Sequence, residues 1–183
     1  MRNKIFISAL LIFCLSVTSF AATSQVTKFP AKEVNGFGPL PYNYRIINGH
    51  IHAGGHPLNP RTVFMNTDKQ AMSILNYLKS KGVRTVLDLE NTWLIQKRYA
   101  KLLNSAGIKR IHIPLHASKV PNEKEWQTIK NAMEHPIYIH CKWGADRTGA
   151  MIGRYLVEVK GYPPKDAWKA VISGGSHAGS ICG

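Results

Sequence analysis

The stretch that decides the fold reads His140-Cys141-Lys142-Trp143-Gly144-Ala145-Asp146-Arg147-Thr148-Gly149. The short apolar run Ile137-Tyr138-Ile139 precedes it and predicts a buried strand. A helical pattern over 147–159 follows, and Gly161 with the Pro163-Pro164 pair ends that helix. The stretch is therefore a tight loop between a strand and a helix. Ligands of parallel α/β sheets bind at such junctions, beyond the carboxyl ends of the strands.

Strands and helices alternate along the rest of the chain. Apolar, β-branched runs predict three further strands, at 44–51, 83–89 and 108–114. Apolar residues at helical spacing predict four more helices, which run from Thr67 to a stop at Gly82, over about 92–106, from Pro121 to a stop at Pro136, and over 165–172. This alternation predicts a single α/β domain with a central, mainly parallel sheet flanked by helices.

The first 21 residues have the layout of a secretory signal peptide. Arg2 and Lys4 form a positive start, 5–17 is almost wholly apolar, and small residues surround Ala21. The apolar run is shorter than the roughly 20 residues of a membrane-spanning helix. We therefore expect cleavage near Ala21 and a protein that is secreted or periplasmic.

The mature chain divides into three predicted segments. Residues 22–43, rich in Pro, Gly and polar residues, predict an irregular lead-in, and 44–173 predict the folded domain. The Gly/Ser-rich end, 174–183, predicts a flexible tail. A chain of 183 residues has room for one domain with a proper core, and we expect a monomer.

The charge balance favours an anionic partner. The formal net charge is +14 at pH 7, and loss of Arg2 and Lys4 with the signal peptide leaves 14 − 2 = +12. Such an excess favours a phosphorylated substrate, peripheral contact with an acidic membrane, or nucleic acid. The basic residues are scattered rather than clustered, which argues against a nucleic-acid-binding arm.

The loop residues supply a consistent chemistry for binding and attacking phosphate. Backbone N–H groups of 142–147 can surround one anion, and Gly144 allows the unusual dihedral angles that this requires. The following helix directs its positive end to the same point, which favours the thiolate form of Cys141 as a nucleophile. The planar fork of Arg147 can bind two phosphate oxygens, and the Thr148 hydroxyl can donate to the sulfur.

The loop has a distinctive pattern, in which His-Cys is followed by five residues and then by Arg-Thr-Gly. This pattern resembles the signature of the protein tyrosine and dual-specificity phosphatases. The resemblance covers roughly 44–173, and it includes Gly54-Gly55-His56-Pro57, Val86-Leu87-Asp88-Leu89 and Ile113-Pro114. It implies the cysteine-phosphatase fold and phosphomonoester hydrolysis through a phosphocysteine on Cys141. It also implies phosphate binding by Arg147, tuning of the thiolate by His140, assistance to turnover by Thr148, and no metal or other cofactor.

The sequence departs from this family at the general acid. Members usually supply an aspartate from the loop after the strand that ends here at Pro114, but the loop 115–121 holds no carboxylate. Asp146 is the first candidate, by similarity to the myotubularin-type lipid phosphatases. His116 is the second, because it lies in the expected loop and imidazole exchanges protons near neutral pH. Asp88 and Glu123 fit structural roles better, at a strand end and in the first turn of a helix.

The sequence alone does not identify the substrate. Lys142 and Trp143 lie at the mouth of the loop, with Gly144 and Ala145 behind them, and they fit either a phosphoprotein or a phosphoinositide or inositol phosphate. The same two side chains also fit a solvated lysine and a packed indole. A phosphate-binding module with little turnover and a rhodanese-type sulfurtransferase are the competing functions, and the Arg147-Thr148-Gly149 continuation argues against the second.

Two further groups carry weaker hypotheses. His50, His52 and His56 suggest a metal site, but no cysteine or carboxylate completes the set, so we expect no metal. Cys14 would leave with the signal peptide, so that Cys141 and Cys182 remain. In an oxidising compartment these two could pair, which would silence the nucleophile, and the sequence does not decide whether they do.

Overall fold

The computed structural model describes residues 23–60, 63–116 and 118–175. The predicted signal peptide, Cys182 and all but the first two residues of the predicted tail lie outside these ranges. Within them, no helix combines the length and the apolar composition needed to cross a bilayer.

Within the described ranges, a six-stranded sheet forms the centre of the domain. Its strands are Val26–Lys28 (β1), Arg45–Ile47 (β2), Ile51–Gly54 (β3), Thr85–Asp88 (β4), Lys109–His112 (β5) and Ile137–His140 (β6). The spatial order is β1-β2-β3-β6-β4-β5. The β1–β2 and β2–β3 pairs are antiparallel, whereas β3, β6, β4 and β5 run parallel. The prediction of a single α/β domain with a mainly parallel sheet is confirmed.

Among the residues that the structure describes, five α-helices flank the sheet, and local sequence signals set their ends. They are Asp68–Ser80 (α1), Gln96–Ala106 (α2), Glu123–Ala132 (α3), Asp146–Glu158 (α4) and Pro164–Ile172 (α5). Thr67 caps α1 in a capping box with Gln70, as predicted. Asn122 caps α3 in the same way, so that helix begins two residues later than the predicted start at Pro121. Gly107, at φ 67°, ends α2.

Alternate residues of each central strand bury on opposite faces of the sheet, as the period of a strand requires. Val86 and Tyr138 join the core under α1 and α2, whereas Leu87 and Ile139 join the core under α3, α4 and α5. Strands covered on both faces hold their ends rigidly. The carboxyl ends of β3, β4 and β6 therefore form a fixed platform at one edge of the sheet.

Two sequence predictions are corrected by the strand pattern. The single strand predicted over 44–51 is instead the hairpin of β2 and β3, which turns at Asn48-Gly49 with both residues at positive φ. An Asn-Gly pair is a standard signal for such a turn. The lead-in predicted to be irregular contains β1, which pairs with β2 at the sheet edge.

Candidate active site

In the loop between β6 and α4, the carbonyl groups of Lys142 and Trp143 accept hydrogen bonds from residues outside the loop, so they point away from its centre. The Lys142 carbonyl accepts hydrogen bonds from His56 N at 3.1 Å and from Asn59 Nδ2 at 2.7 Å. The Trp143 carbonyl accepts one from Asn43 Nδ2 at 3.2 Å. In the described part of the chain, the amides of Lys142, Gly144, Ala145 and Arg147 donate to no backbone acceptor outside the helices and strands. Those N–H groups remain for an anion at the N-terminus of α4.

Gly144 is required by the backbone path of this loop. Its φ is 71°, a left-handed conformation that L side chains rarely adopt. A Cβ at this position would overlap the backbone of Gly54 and would lie 2.7 Å from Gly54 Cα. Two glycines therefore allow the loop to lie directly on the end of β3.

We expect Gly144→Ala to abolish the phosphatase turnover that the resemblance of the loop implies, and to destabilise the domain. The left-handed backbone alone costs roughly 1–2 kcal/mol for a residue with a Cβ, and the collision with Gly54 adds displacement of the anion-binding amides. The matched control is Gly161→Ala, since Gly161 has φ 68° and no atom within 4 Å of an added Cβ. Thermal unfolding and turnover of the two variants, measured side by side, should separate the collision from the backbone cost. Equal losses in both would contradict the role of close packing.

Cys141 directly follows β6, and its side chain is only 4% exposed. Its thiol is free. The preceding His140 is buried, its Nε2 lies 3.0 Å from the Tyr99 hydroxyl, and its Nδ1 lies 3.3 Å from the Cys141 carbonyl oxygen. Because a carbonyl oxygen only accepts, the proton belongs on Nδ1, and the Tyr99 hydroxyl donates to Nε2. His140 thus holds the backbone of Cys141 in place.

Behind the loop, His56, Asp88 and His140 place possible ligand atoms within 4.8 Å of one another, and all three are buried. Burial lowers the pKa of both imidazoles, so they are neutral at pH 7. Asp88 is already ion-paired with Arg110 and accepts from the Glu90 amide at 2.8 Å. A cation would be placed beside that guanidinium, so the cluster fits a hydrogen-bond network better than a metal site.

The alternative histidine set, His50, His52 and His56, separates in the fold. The ring nitrogens of His50 contact the carbonyls of Asn48 and Met133, and His52 Nδ1 lies 2.6 Å from the Tyr44 hydroxyl. His56 instead packs edge-on against His140, with ring centroids 4.7 Å apart. Each of the three is therefore held by different partners.

Arg147 is held above the platform by a buried carboxylate. Its Nη2 lies 2.9 Å from Glu90 Oε2, and Glu90 is 1% exposed. Its Nη1 donates to the carbonyls of Leu115 at 2.8 Å and Leu89 at 3.2 Å. Glu90 itself accepts from the Thr92 amide and hydroxyl, at 3.0 and 2.6 Å. The guanidinium is thus fixed from behind, which orients its fork before a ligand binds.

Glu90 was missed by the sequence analysis. A usable signal was present, because Glu90 follows the buried strand β4 at the carboxyl edge of the parallel sheet, where Asp88 alone was considered. What the sequence did not show is that β4 lies next to β6. That neighbourhood brings Glu90 to Arg147.

The remaining predicted residues are distributed around this centre. Thr148 is fully buried on α4, and its Oγ1 has no hydrogen-bond partner among the described residues. Asp146 is the exposed first residue of α4 and lines a groove of about 420 Å³ between α4 and α5. His116 is exposed, with Nδ1 3.0 Å from Ser118 Oγ, and it follows Leu115, whose carbonyl contacts Arg147.

The loop mouth carries one ammonium group between aromatic rings. Lys142 Nζ lies 5.3 Å from the centroid of the Trp143 ring and 5.6 Å from that of Phe64. Trp143 is half-buried, while Ala145 is buried at the N-cap of α4. The mouth therefore combines positive charge with flat apolar surface, which suits an anionic or aromatic group.

Solved structures share this fold at low sequence identity. Pseudomonas aeruginosa TpbA in complex with pTyr is 18% identical, covers 88% of this chain and 85% of its own, and gives a TM-score of 0.58. PTPMT1 in complex with PI(5)P is 20% identical, covers 68% and 78%, and gives a TM-score of 0.51. The fold is that of the cysteine-dependent phosphatases of the protein-tyrosine-phosphatase type.

A family model narrows this class. The model, described as "Polymorphic toxin system, DSP-PTPase phosphatase", matches residues 64–161, just over half of the chain, and the chain belongs to that family. Phosphatidylglycerophosphatase and protein-tyrosine phosphatase 1 of Mus musculus is 22% identical over 134 residues, which are 73% of this chain and 68% of the mouse protein. TpbA of P. aeruginosa strain UCBPP-PA14 is 26% identical over 111 residues. That match is 58% of this chain and 47% of TpbA, so the chain spans about half the length of that relative.

Proposed function

We propose that this chain hydrolyses phosphotyrosine-type phosphomonoesters, with Cys141 as the nucleophile and Arg147 as the phosphate-binding group. The observation that carries the proposal is the guanidinium of Arg147, which Glu90 holds in a fixed orientation. It lies beside a loop in which the Lys142 and Trp143 carbonyls are hydrogen-bonded to residues outside the loop. Phosphoryl transfer needs positioning and charge stabilisation above all, and this arrangement supplies both. The flat surface of Trp143 at the mouth suits a phenyl ring.

The reaction proceeds in two displacements. The Cys141 thiolate attacks phosphorus, an S–P bond forms, and the P–O bond to the leaving group breaks as a general acid protonates the departing oxygen. Water then attacks the phosphocysteine and gives a proton to the group that acted as the general acid, the S–P bond breaks with its electron pair left on sulfur, and inorganic phosphate leaves. The buried Thr148 hydroxyl donates to the departing sulfur in this second step. Arg147 and the loop amides bind the equatorial oxygens throughout.

His116 is the general acid in this proposal. Its loop reaches the site through the Leu115 carbonyl, which accepts from Arg147, and the Ser118 hydroxyl holds Nδ1 and leaves Nε2 to carry the proton. Asp146 lines the groove between α4 and α5 and is the alternative donor. The two candidates lie on different elements, His116 in the loop after β5 and Asp146 at the start of α4, so single variants separate them.

We expect His116→Asn to act selectively on substrates with poor leaving groups. Turnover of p-nitrophenyl phosphate should change by less than about threefold, because its leaving group needs no proton, whereas an alkyl phosphate should slow by about 10²-fold. Asp146→Asn serves as the matched variant, and its ratio of the two rates should stay near that of the unmodified protein. If Asp146→Asn shows the selective loss and His116→Asn does not, the acid is Asp146.

A substrate panel tests the proposed function. Phosphotyrosine peptide, phosphoserine peptide and short-chain PI(5)P are compared in the presence of EDTA and with vanadate as the inhibitor. Fastest turnover of the phosphotyrosine peptide supports the proposal, consistent with the pTyr bound to TpbA. Preference for PI(5)P, the ligand of PTPMT1, would reassign the substrate. Phosphate binding with no turnover of any substrate would refute hydrolysis.

We also propose that the chain acts after export, as a monomer with peripheral affinity for acidic membranes. The signal-like pattern of residues 1–21 and the formal net charge of +12 that remains after cleavage support this. The mass of the mature protein from a periplasmic or culture fraction tests the cleavage near Ala21. Recovery of the intact chain in the cytoplasm would contradict export.

A further inference from the structure

Arg45 carries an unexplained buried charge. It is the first residue of β2 and is only 1% exposed. Its Nη1 donates to the Asn43 carbonyl at 3.3 Å, but Nε and Nη2 have no hydrogen-bond partner in the described ranges. Gly174 packs directly against the guanidinium, which leaves no room there for a Cβ. A buried charge of this kind normally has an ionic partner.

Most of the described carboxylates pair with cations other than Arg45. None of the ion pairs among the described residues includes Arg45. On the elements that surround Arg45 and Cys141, Asp88 pairs with Arg110, Glu90 with Arg147 and Asp166 with Lys169. Asp146, the first residue of α4, is exposed and lines the groove between α4 and α5. Further cations on these elements are Lys28 on β1, which is cross-strand from Arg45, Lys142 in the loop, Arg154 on α4 and Lys165 on α5. The missing partner of Arg45 is therefore not one of these carboxylates.

The register of the strands places the side chains of Arg45 and Cys141 on the same face of the sheet. Arg45 pairs with Ala53, and Ala53 pairs with Ile139, so two strand spacings, about 10 Å, separate Arg45 from Ile139. Side chains two residues apart share a face, and Cys141 lies two residues beyond Ile139. Ala53, Ile139 and Cys141 accordingly belong to one core cluster. The small Ala53 side chain leaves room for the long arginine to extend toward the sulfur.

The charge states fit a pair between these two groups. Burial lowers the pKa of Arg45 to about 10, and the charge of Cys141 acts against that lowering, so the guanidinium stays protonated at neutral pH. Tyr138 is the other ionisable neighbour. Burial raises its pKa well above the usual value, and its hydroxyl donates to the Gly55 carbonyl, so it stays neutral. Of the two neighbours whose charge favours the protonated guanidinium, the sulfur of Cys141 contributes more than Tyr138.

We propose that Arg45 is a positioning residue for the phosphatase reaction, whose buried guanidinium keeps Cys141 in its thiolate form from the sheet side of the loop. This proposal rests on the proposed role of Cys141 as the nucleophile. It assigns the two arginines separate tasks. Arg147, which is partly exposed, binds the substrate phosphate, and Arg45 acts on the nucleophile without touching the substrate.

The test measures the rate of Cys141 alkylation by iodoacetamide against pH in Arg45→Met. We expect the midpoint of that curve to move upward by about one pH unit, and the acid limb of kcat/KM to move with it. Arg45→Lys should keep most of the original curve because it keeps the charge. Arg84→Met is the matched control, since it also removes one arginine. Arg84 is exposed, and among the described residues its guanidinium donates to the carbonyls of Lys79 and Val83 alone. The curve of Arg84→Met should coincide with that of the unmodified protein.

Thermal unfolding separates this role from a structural one. Because the Cys141 sulfur can take up a proton once the guanidinium is gone, Arg45→Met leaves no buried charge without a partner, and we expect it to keep a cooperative unfolding transition. An unchanged alkylation midpoint in a folded Arg45→Met overturns the proposal. If Arg45→Met does not fold, Arg45→Gln gives the same readout and the same two outcomes. Normal alkylation without any phosphatase turnover in the unmodified protein would instead refute the proposed function and leave the pairing of Arg45 with the thiolate standing.

Discussion

Cys141→Ser should lower the turnover of p-nitrophenyl phosphate by at least about 10⁴-fold while phosphate binding persists. A serine hydroxyl stays protonated at neutral pH, so the attacking anion is lost. The loop amides and Arg147 are untouched, because the substitution changes one buried atom at the end of β6. Steady-state kinetics measure the first effect, and competition between vanadate and phosphate for the inactive protein measures the second.

Cys182→Ser is the matched control for this experiment, since it removes the other cysteine of the predicted mature chain. We expect it to leave turnover under reducing conditions unchanged. Activity of Cys141→Ser close to that of the unmodified protein would mean that another group attacks phosphorus, and the assigned mechanism would be wrong. Loss of both turnover and phosphate binding would show instead that the thiol supports the loop itself.

Signals that act over a few residues made most of the fold predictable. The Thr67–Gln70 capping box and the αL glycine at 107 mark helix ends through hydrogen bonds within one turn, and both lie where the sequence places them. The strand–loop–helix around Cys141 is similarly local. The hairpin of β2 and β3 was missed although Asn48-Gly49 is a local signal, because the apolar residues on its two sides were read as one continuous strand.

The parts of the site that escaped prediction depend on which strands are neighbours. Glu90 and Arg147 are 57 residues apart, and they meet because β4 and β6 pair in parallel. Arg45 reaches the vicinity of Cys141 across β3, again through strand order. Periodicity fixes the face on which a strand side chain lies, but it does not fix the order of strands within the sheet. Partner groups contributed by another strand are therefore the last to be found from sequence.

Arg147→Lys should reduce kcat by at least about 10³-fold, the scale of losing an arginine that stabilises phosphoryl transfer. A lysine keeps the charge but presents a single point of contact, so it cannot donate to Glu90, to the Leu115 carbonyl and to two phosphate oxygens together. Glu90→Gln should have a smaller effect, about 10²-fold, because it keeps the fork and loosens its orientation. Kinetics of both variants with p-nitrophenyl phosphate give the two losses.

The comparison of these two variants tests whether geometry or charge governs phosphate binding. Arg154→Lys provides the control on the same helix, since Arg154 stacks on Trp126 at 4.1 Å, pairs with Glu158 and takes no part in the loop. If only the charge at position 147 mattered, Arg147→Lys would remain within about tenfold of the unmodified protein, and Glu90→Gln would have little effect. A large loss in both, with Arg154→Lys unaffected, follows only if the buried carboxylate sets the direction of the guanidinium. The net positive charge of the chain then attracts the phosphate, and the Glu90–Arg147 pair fixes the direction from which the guanidinium binds it.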